Sequence, residues 1–374
     1  MTTYLDLDVL DGGGLRSDHV VRIENGKIAD LRPRRADDRG TSLAKGGHRA
    51  LICPGFIDLQ VNGGGGLMLD ACDTVASVSH LAEAHRAGGT LALLPTLITD
   101  TPATTARIID LVAQAARQDP AIVGLHLEGP HLGVAGAHDP ALLRPMSDAD
   151  LEVYLGAAAG LPNLMITLAP EQVSASQISA LVQADVVVSL GHSACSYAAA
   201  HAAYDAGASA ATHLFNAMSG LHHREPGMVG AALDHARWIG LIADGEHVHP
   251  AALRLALTAR PDAIYLVTDA MAVAGTDDRG FTLSGKAITR AGGRLTTAEG
   301  TLAGADITMM DAVRNLAAFT GRALADILPL AFDAPHRVLR GDPLHLSQGR
   351  PARLLHIHED QVIATLTGDD WRPV

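Results

Sequence analysis

The chain has 374 residues, of which 48% are hydrophobic, and this is enough to bury a large core. Its formal net charge of −13 and its aromatic content of 3% argue against nucleic-acid binding, which needs basic surfaces and stacking side chains. The sequence has no uninterrupted apolar run of about 18 residues and no basic or long apolar leader. Its cysteines form no CxxC pair. We therefore expect a cytoplasmic globular protein that binds neither nucleic acid nor membrane.

Both ends of the chain have the pattern of short β-strands. Residues 1–50 contain alternating apolar segments separated by Gly-rich turns, and the tail after residue 335 returns to short alternating strands. An isolated hairpin is only marginally stable in water, so pairing between the two ends is favoured. We predict one composite β-sandwich domain from residues 1–50 and 336–374. Two unrelated terminal segments are the alternative.

Residues 51–335 alternate between short apolar strands and alanine-rich helical segments. The predicted strands are 51–59, 90–97, 122–127, 164–168, 185–190, 209–212, 239–243 and 263–268. Eight strands with a crossover after each, over roughly 250 residues or more, are typical of one architecture. The sequence therefore predicts an α/β protein with a (β/α)8 TIM-type barrel at residues 51–335.

Three side chains of metal-ligand type follow strands of this barrel, at the end where barrel active sites lie. Glu128 follows the third strand, His192 the fifth and His213 the sixth. A histidine at a strand end is more often structural when it stands alone, but several strand ends agree here. Two imidazoles and one carboxylate suit a borderline divalent ion that keeps a position open for water. We expect one ion per subunit, zinc first, with iron, manganese or cobalt as alternatives.

Asp269 follows the eighth strand and reaches the same end of the barrel. A carboxylate beside a metal site can take a proton from water and act as a general base. The alternative is that Asp269 caps the turn that follows it.

Eight short motifs resemble one known family in their order and spacing. They are PGFIDLQVNGGGG (54–66), HLEGPHL (126–132), GHS (191–193), THLFNAM (212–218), REPG (224–227), IADGEHV (242–248), TDAM (268–271) and LAG (302–304). The chain resembles the N-acetylglucosamine-6-phosphate deacetylases of the amidohydrolase superfamily, and the match spans the predicted barrel. The resemblance implies metal-dependent hydrolysis of N-acetylglucosamine 6-phosphate to glucosamine 6-phosphate and acetate, in amino-sugar catabolism or cell-wall recycling.

The resemblance also implies a role for each matching residue. The metal would be held by Glu128, His192 and His213, and Asp269 would be the base that later protonates the leaving amine. The implied sugar-phosphate contacts are Ala137, His138, Asn216, Ala217, Arg224, His247, Leu302, Ala303 and Gly304. The family further implies a homodimer in which Arg224 reaches across the interface. Either His138 or His247 would polarise the substrate carbonyl, and the sequence leaves that choice open.

Other functions of the same fold remain to be weighed. Two-metal amidohydrolases need His-x-His after the first strand and a lysine inside the barrel, whereas this chain has Gln60 and Asn62 there and no lysine on a predicted barrel strand. Deacetylation of N-acetylgalactosamine 6-phosphate differs at one hydroxyl and stays open. A catalytically silent binding protein is the alternative from another class, and the presence of the whole ligand set and the base argues against it.

Overall fold

The computed structural model describes residues 2–374, and its N-terminal part is a run of strands joined by short turns. The strands are β1 (Thr2–Asp11), β2 (Gly14–Glu24), β3 (Lys27–Pro33), β4 (Thr41–Ser42) and β5 (Ala50–Pro54). Asn25 and Gly26 form the two-residue turn between β2 and β3, with φ values of 50° and 69°. A type I′ turn needs positive φ at both positions, so this pair sets Glu24 opposite Lys27.

A closed barrel of parallel strands with intervening helices follows. Its elements are β6 (Phe56–Val61), β7 (Gly63–Gly64), β8 (Leu67–Met68), α1 (Val75–Glu83), β9 (Thr90–Ile98), α2 (Pro102–Gln118), β10 (Leu125–Glu128), α3 (Asp148–Gly160), β11 (Leu164–Leu168), α4 (Ala175–Gln183), β12 (Val187–Leu190), α5 (Tyr197–Asp205), β13 (Ala210–Ala211), α6 (Gly227–His235), β14 (Trp238–Leu241), α7 (Pro250–Ala259) and β15 (Ile264–Leu266). Its strand order is β15-β14-β13-β12-β11-β10-β9-β6. The Asp269 N–H donates to Gln60 O at 3.0 Å, which joins the last strand to the first. The predicted (β/α)8 barrel is confirmed.

The helices of the barrel follow from their capping and their apolar stripes, and α2 is an example. The Thr101 side chain accepts a hydrogen bond from the Thr104 N–H, and Pro102 occupies the first helical position. Ile108, Val112 and Ala115 are buried and share one face of the helix because they are spaced by three or four residues. The buried side packs on the barrel, and exposed residues such as Arg107 and Asp110 lie on the opposite side.

A small antiparallel sheet leaves the barrel after β15, and we call it the mouth sheet. It consists of β16 (Gly280–Leu283), β17 (Lys286–Ala291), β18 (Arg294–Thr296) and β19 (Leu302–Ala305), and it is followed by α8 (Met309–Thr320), α9 (Leu324–Ile327) and α10 (Pro329–Arg340). Leu283, Leu295 and Ala303 pack with Met271 in an apolar cluster of its own. This cluster fixes the mouth sheet against the loop that follows β15.

Strands from both ends of the chain form one sheet. The tail contributes β20 (Arg353–His358), β21 (Gln361–Thr367) and β22 (Trp371–Pro373), and the order is β22-β21-β20-β5-β1-β2-β3, with β4 paired to β1. The predicted strand 51–59 is wrong in its bounds, because β5 belongs to this sheet and the barrel begins at Phe56. The division lies at Gly55, where a Cβ would stand 2.5 Å from the Leu91 side chain. The domain boundaries at 50/51 and 335/336 stay a prediction. Within residues 2–374 no helix combines the length and the apolar character needed to cross a bilayer.

Candidate active site

Glu128, His192 and His213 converge at the carboxyl end of the barrel. Glu128 is the last residue of β10, and the two histidines each follow their strand by two residues. His213 Nε2 lies 3.0 Å from Glu128 Oε1, and His192 Nε2 lies 3.4 Å from the same oxygen. The two Nε2 atoms are 3.1 Å apart, and all three side chains are buried. The sequence placed these residues together because parallel strands bring their ends to one edge.

The spacing of these three atoms suits a divalent ion. Ligands bound tetrahedrally at about 2.0–2.1 Å from an ion are about 3.3 Å from one another. His192 Nδ1 donates to Val134 O at 2.8 Å, so its Nε2 presents a lone pair to the Glu128 carboxylate. Two electron-rich atoms facing each other in a buried site call for a cation between them. His138 also lies within reach, since its ligand atom and those of Glu128 and His192 are all within 4.8 Å.

The backbone at this end of the barrel is strained. His192, His213 and Asp269 have φ values of 48°, 30° and 52°, in the left-handed region. Such a conformation costs a non-glycine residue about 1–2 kcal/mol. The stability of the rest of the barrel offsets the cost of this strain. The strained conformation turns the three side chains into the site, and strain of this kind is common at functional sites.

Asp269 lies beside this cluster and is held by two amide side chains. Its Oδ1 accepts from Asn62 Nδ2 at 2.7 Å and from Gln60 Nε2 at 3.2 Å. Oδ2 accepts no hydrogen bond from another described residue. Burial, and then the charge of Glu128, raise the pKa of Asp269 to about 6. The side chain therefore points into the site and is not a helix cap, and its free oxygen can accept a proton.

Gln60 and Asn62 occupy the places where two-metal enzymes carry imidazoles. Gln60 Nε2 donates to Glu128 Oε1 at 2.9 Å as well as to Asp269, so both amides serve the carboxylates as donors. His126, on the same strand as Glu128, uses Nδ1 on Leu59 O at 2.9 Å and Nε2 on Thr167 Oγ1 at 2.7 Å. Neither nitrogen of His126 is left for a second ion.

Thr99 determines the tautomer of His138. The Thr99 N–H donates to His138 Nδ1 at 3.2 Å, and Thr99 Oγ1 lies 2.8 Å from the same nitrogen. Since Nδ1 is an acceptor, the proton of the neutral ring sits on Nε2. That Nε2 lies 3.9 Å from Glu128 Oε2, at the centre of the site. Burial lowers the pKa of His138 to about 3, so the ring is a neutral donor at ordinary pH.

His247 is the opposite tautomer, with its proton on Nδ1 and not on Nε2. Its Nδ1 donates to Asp244 Oδ2 at 2.6 Å, and its backbone N–H donates to Asp244 Oδ1 at 2.8 Å. The hydrogen bonds with His247 help to hold the pKa of Asp244 below its usual range, although burial opposes them. Nε2 of His247 is thus the atom left to meet a ligand.

One cavity of about 440 Å³ is lined by the candidate metal ligands, by Asp269 and by both His138 and His247. The residues named from the sequence that line it are Glu128, Ala137, His138, His192, His213, Asn216, Ala217, His247, Asp269, Leu302 and Gly304. Two others do not line it. Ala303 is buried in the apolar cluster of the mouth sheet, and Arg224 lies on an exposed loop.

Comparison with known proteins agrees with this geometry. The model of the Amidohydrolase family matches residues 51–325. The chain belongs to the amidohydrolase family. The resemblance drawn from the motifs is confirmed, and the barrel is the one expected of an amidohydrolase.

Two relatives and one solved structure are similar to this chain over most of its length. This amidohydrolase is 38% identical to an N-acetylgalactosamine-6-phosphate deacetylase from Shewanella sp. (strain ANA-3), with 94% of this chain and 91% of the relative covered. It is 33% identical to an N-acetylglucosamine-6-phosphate deacetylase from Haemophilus influenzae, with 86% of each covered. The crystal structure of N-acetylglucosamine-6-phosphate deacetylase from Pasteurella multocida superposes with a TM-score of 0.93 at 30% identity, over 100% of both chains.

Three residues of this amidohydrolase site were given no role from the sequence. Thr99 directly follows β9, so a search of the residues after every strand finds it. Asp244 lies inside the IADGEHV motif, three residues before His247. Arg294 lines the cavity from β18, and no sequence signal pointed to it.

Proposed function

We propose that this amidohydrolase removes the acetyl group of N-acetylglucosamine 6-phosphate and releases glucosamine 6-phosphate and acetate. The observation that carries the proposal is the placement of Asp269, a buried carboxylate with a free oxygen, beside the Glu128, His192 and His213 cluster in one cavity. The similarity to deacetylases of amino-sugar phosphates supports the choice of substrate. A role in amino-sugar catabolism or cell-wall recycling, in the cytoplasm, stays a prediction.

Glu128, His192 and His213 would hold one divalent ion, with zinc preferred because it accepts mixed nitrogen and oxygen ligands. When bound, such an ion supplies positive charge that polarises an amide carbonyl and makes water more acidic. Iron, manganese and cobalt accept similar ligands and remain alternatives.

Proton transfer in this proposal is the work of Asp269. Its Oδ2 accepts a proton from the water that attacks the acetyl carbon and then delivers it to the sugar nitrogen as the C–N bond breaks. Delivery to nitrogen matters because an amide anion is a very poor leaving group. Oδ1 stays bound to Asn62 and Gln60 throughout, which keeps the carboxylate aimed at the substrate.

His138 is the donor that stabilises the oxygen of the acetyl group. Its Nε2–H lies at the centre of the site, and the oxygen gains negative charge as water attacks. His247 presents the unprotonated Nε2 in this tautomer, so it suits a substrate hydroxyl as an acceptor. The two tautomers thus favour His138 for the carbonyl, a choice that the sequence alone left open.

The remaining contacts would hold the sugar phosphate. Ala137, Asn216, Ala217, Leu302 and Gly304 line the cavity and would contact the substrate. Ala303 would act only through its neighbours, because its side chain is buried away from the cavity.

We also propose a homodimer in which Arg224 serves the partner subunit's site. Arg224 is exposed and does not line the cavity of its own chain, so a role in catalysis requires that it act elsewhere. Mixing inactive Asp269→Asn protein with inactive Arg224→Ala protein should restore activity through hybrid dimers. If subunits are seen to exchange and no activity returns, Arg224 does not complete a neighbour's site.

Deacetylation of N-acetylgalactosamine 6-phosphate is the second candidate. It is favoured by the higher identity to the relative that carries that name, 38% against 33%. The two substrates differ only in the orientation of one hydroxyl.

Acetate release by the zinc-loaded protein tests both candidates. The panel consists of N-acetylglucosamine and N-acetylgalactosamine, each with and without the 6-phosphate, and the Asp269→Asn variant is the control for contaminating activity. We expect the highest kcat/KM on N-acetylglucosamine 6-phosphate. A higher value on the galacto epimer would transfer the assignment to the second candidate, and no release from any of the four would refute both.

A further inference from the structure

One arginine at the cavity wall has no role in the site described so far. Arg294 begins β18 of the mouth sheet and lines the same cavity as Asp269 and His247. It is the one lysine or arginine among the described residues that line this cavity. The cavity already contains the carboxylates of Glu128 and Asp269, and the whole chain has a formal net charge of −13. A guanidinium forms charge-assisted hydrogen bonds with phosphate, so Arg294 is the side chain of this lining best suited to such a group.

The guanidinium of Arg294 is held in a way that leaves its outer face open. Its Nε lies 3.1 Å from Glu246 Oε2. Neither Nη atom makes a hydrogen bond to another described residue. The two Nη atoms and their geometry form the planar fork that binds phosphate oxygens in pairs. An arginine tied at Nε and free at both Nη atoms is oriented for such a ligand.

Glu246, the ion-pair partner of Arg294, is the residue before His247. Glu246 and His247 are adjacent in the turn after β14, and both of their backbone N–H groups donate to Asp244 Oδ1, at 2.9 Å and 2.8 Å. The same Asp244 orients the His247 ring through Oδ2. One turn thus fixes a histidine directly and an arginine through an ion pair.

An ion pair that only stabilises the fold is the competing explanation. The side chains of Arg294 and Glu246 are 51% and 41% exposed, and pairs this exposed typically contribute well under about 1 kcal/mol. The pair therefore adds little to the stability of the fold. Its position on the cavity wall is better explained by a role in binding a ligand.

We propose that Arg294 binds the 6-phosphate of the substrate from within the same chain, next to His247, and so sets the preference for phosphorylated sugars. The proposal rests on the proposed function for its substrate. It adds a second arginine to the one that a partner subunit would supply, and it makes a single chain sufficient for part of the phosphate recognition.

The test compares Arg294→Ala with Arg279→Ala in the zinc-loaded protein. Arg279 is exposed just before the mouth sheet and does not line the cavity, so its loss removes the same charge without touching the site. We expect Arg294→Ala to lower kcat/KM on N-acetylglucosamine 6-phosphate by roughly 10- to 100-fold, mainly through KM, because charged hydrogen bonds carry this scale of energy. Activity on the unphosphorylated sugar should change by less than about 2-fold, and Arg294→Lys should recover part of the loss because it keeps the charge.

Glu246→Gln separates binding from mere positioning of the turn. This variant removes the ion pair but leaves Arg294 in place, so the preference for the phosphorylated sugar should largely persist. Equal losses for Glu246→Gln and Arg294→Ala on both sugars would mean that Arg294 acts only on the turn, and the proposal would be wrong.

Binding of inorganic phosphate, measured by calorimetry, separates this proposal from the proposed function. If the protein releases acetate from neither sugar, the proposed function fails, and the Arg294 proposal is judged on phosphate alone. Weaker phosphate binding in Arg294→Ala than in the unmodified protein and in Arg279→Ala supports it. Identical binding in all three overturns it.

Discussion

Asn62 offers a sharp test of how the general base is tuned. Its Nδ2 donates to Asp269 Oδ1 at 2.7 Å in a site where Asn62 is only 2% exposed. We choose Asn62→Leu, which removes the donor and fills most of the space, so that water does not replace it. The hydrogen bond favours the charged carboxylate, and its loss must therefore raise the pKa of Asp269 further.

The size of the shift follows from the energy of the bond. Hydrogen bonds to charged groups are worth about 1.5–3 kcal/mol, and one pKa unit corresponds to about 1.4 kcal/mol. Removal should raise the pKa by roughly one to two units from its value of about 6. The base works only when ionised, so the acid limb of kcat should move to higher pH by the same one to two units. At a fixed pH on that limb, kcat should be roughly 10- to 100-fold lower in Asn62→Leu and should recover in alkaline solution.

The measurement is kcat for acetate release from pH 5 to pH 10 in the zinc-loaded protein. A bound ion changes the absolute position of the acid limb in both proteins, and the prediction concerns the difference between them. Thr96→Val is the matched control, because Thr96 Oγ1 accepts from the neighbouring Val61 N–H at 2.9 Å and does not touch Asp269. An acid limb that stays in place in Asn62→Leu, or that moves equally in Thr96→Val, would refute this account of the base.

Three further outcomes are expected. Asp269→Asn should keep its metal content and lose on the order of 10²-fold or more in kcat, since the amide has the same shape but accepts no proton; near-normal turnover would place the base elsewhere. The metal content after dialysis should approach one equivalent per chain at full activity. Gln60→His combined with Asn62→His should raise the metal content towards two equivalents, because imidazole binds transition metals better than an amide does. Two tightly held ions in the unmodified protein would contradict this. Burial lowers the pKa of His85 to about 4, so the folded state resists a proton that the unfolded chain accepts near pH 6.5, and stability should fall as pH drops from 6.5 to 4. The full penalty on the free energy of unfolding is about 3 kcal/mol. Urea unfolding at pH 7.5 and pH 4.5 should show that His85→Gln loses less stability between these pH values than the unmodified protein does. Equal losses in the two proteins would mean that His85 is not the cause.

The sequence by itself determined the barrel and the meeting of the three candidate metal ligands. Apolar strands alternating with helical segments produce parallel strands, and all parallel strands of a barrel end at the same rim. Residues that follow those strands, such as Glu128, His192 and His213, must therefore meet, whatever the details of the loops. The rule is local in sequence, and this is why it could be applied without coordinates.

Only the tertiary structure decided which atom of each side chain is available. The tautomer of His138 depends on Thr99, 39 residues away, and the orientation of Asp269 depends on Asn62, 207 residues away. Arg294 reaches the cavity because the four-stranded mouth sheet lies over the end of the barrel. Strand β5, which the sequence assigned to the barrel, belongs instead to the sheet formed by the two ends of the chain. These contacts depend on loop paths and on packing between distant segments, which strand periodicity does not encode.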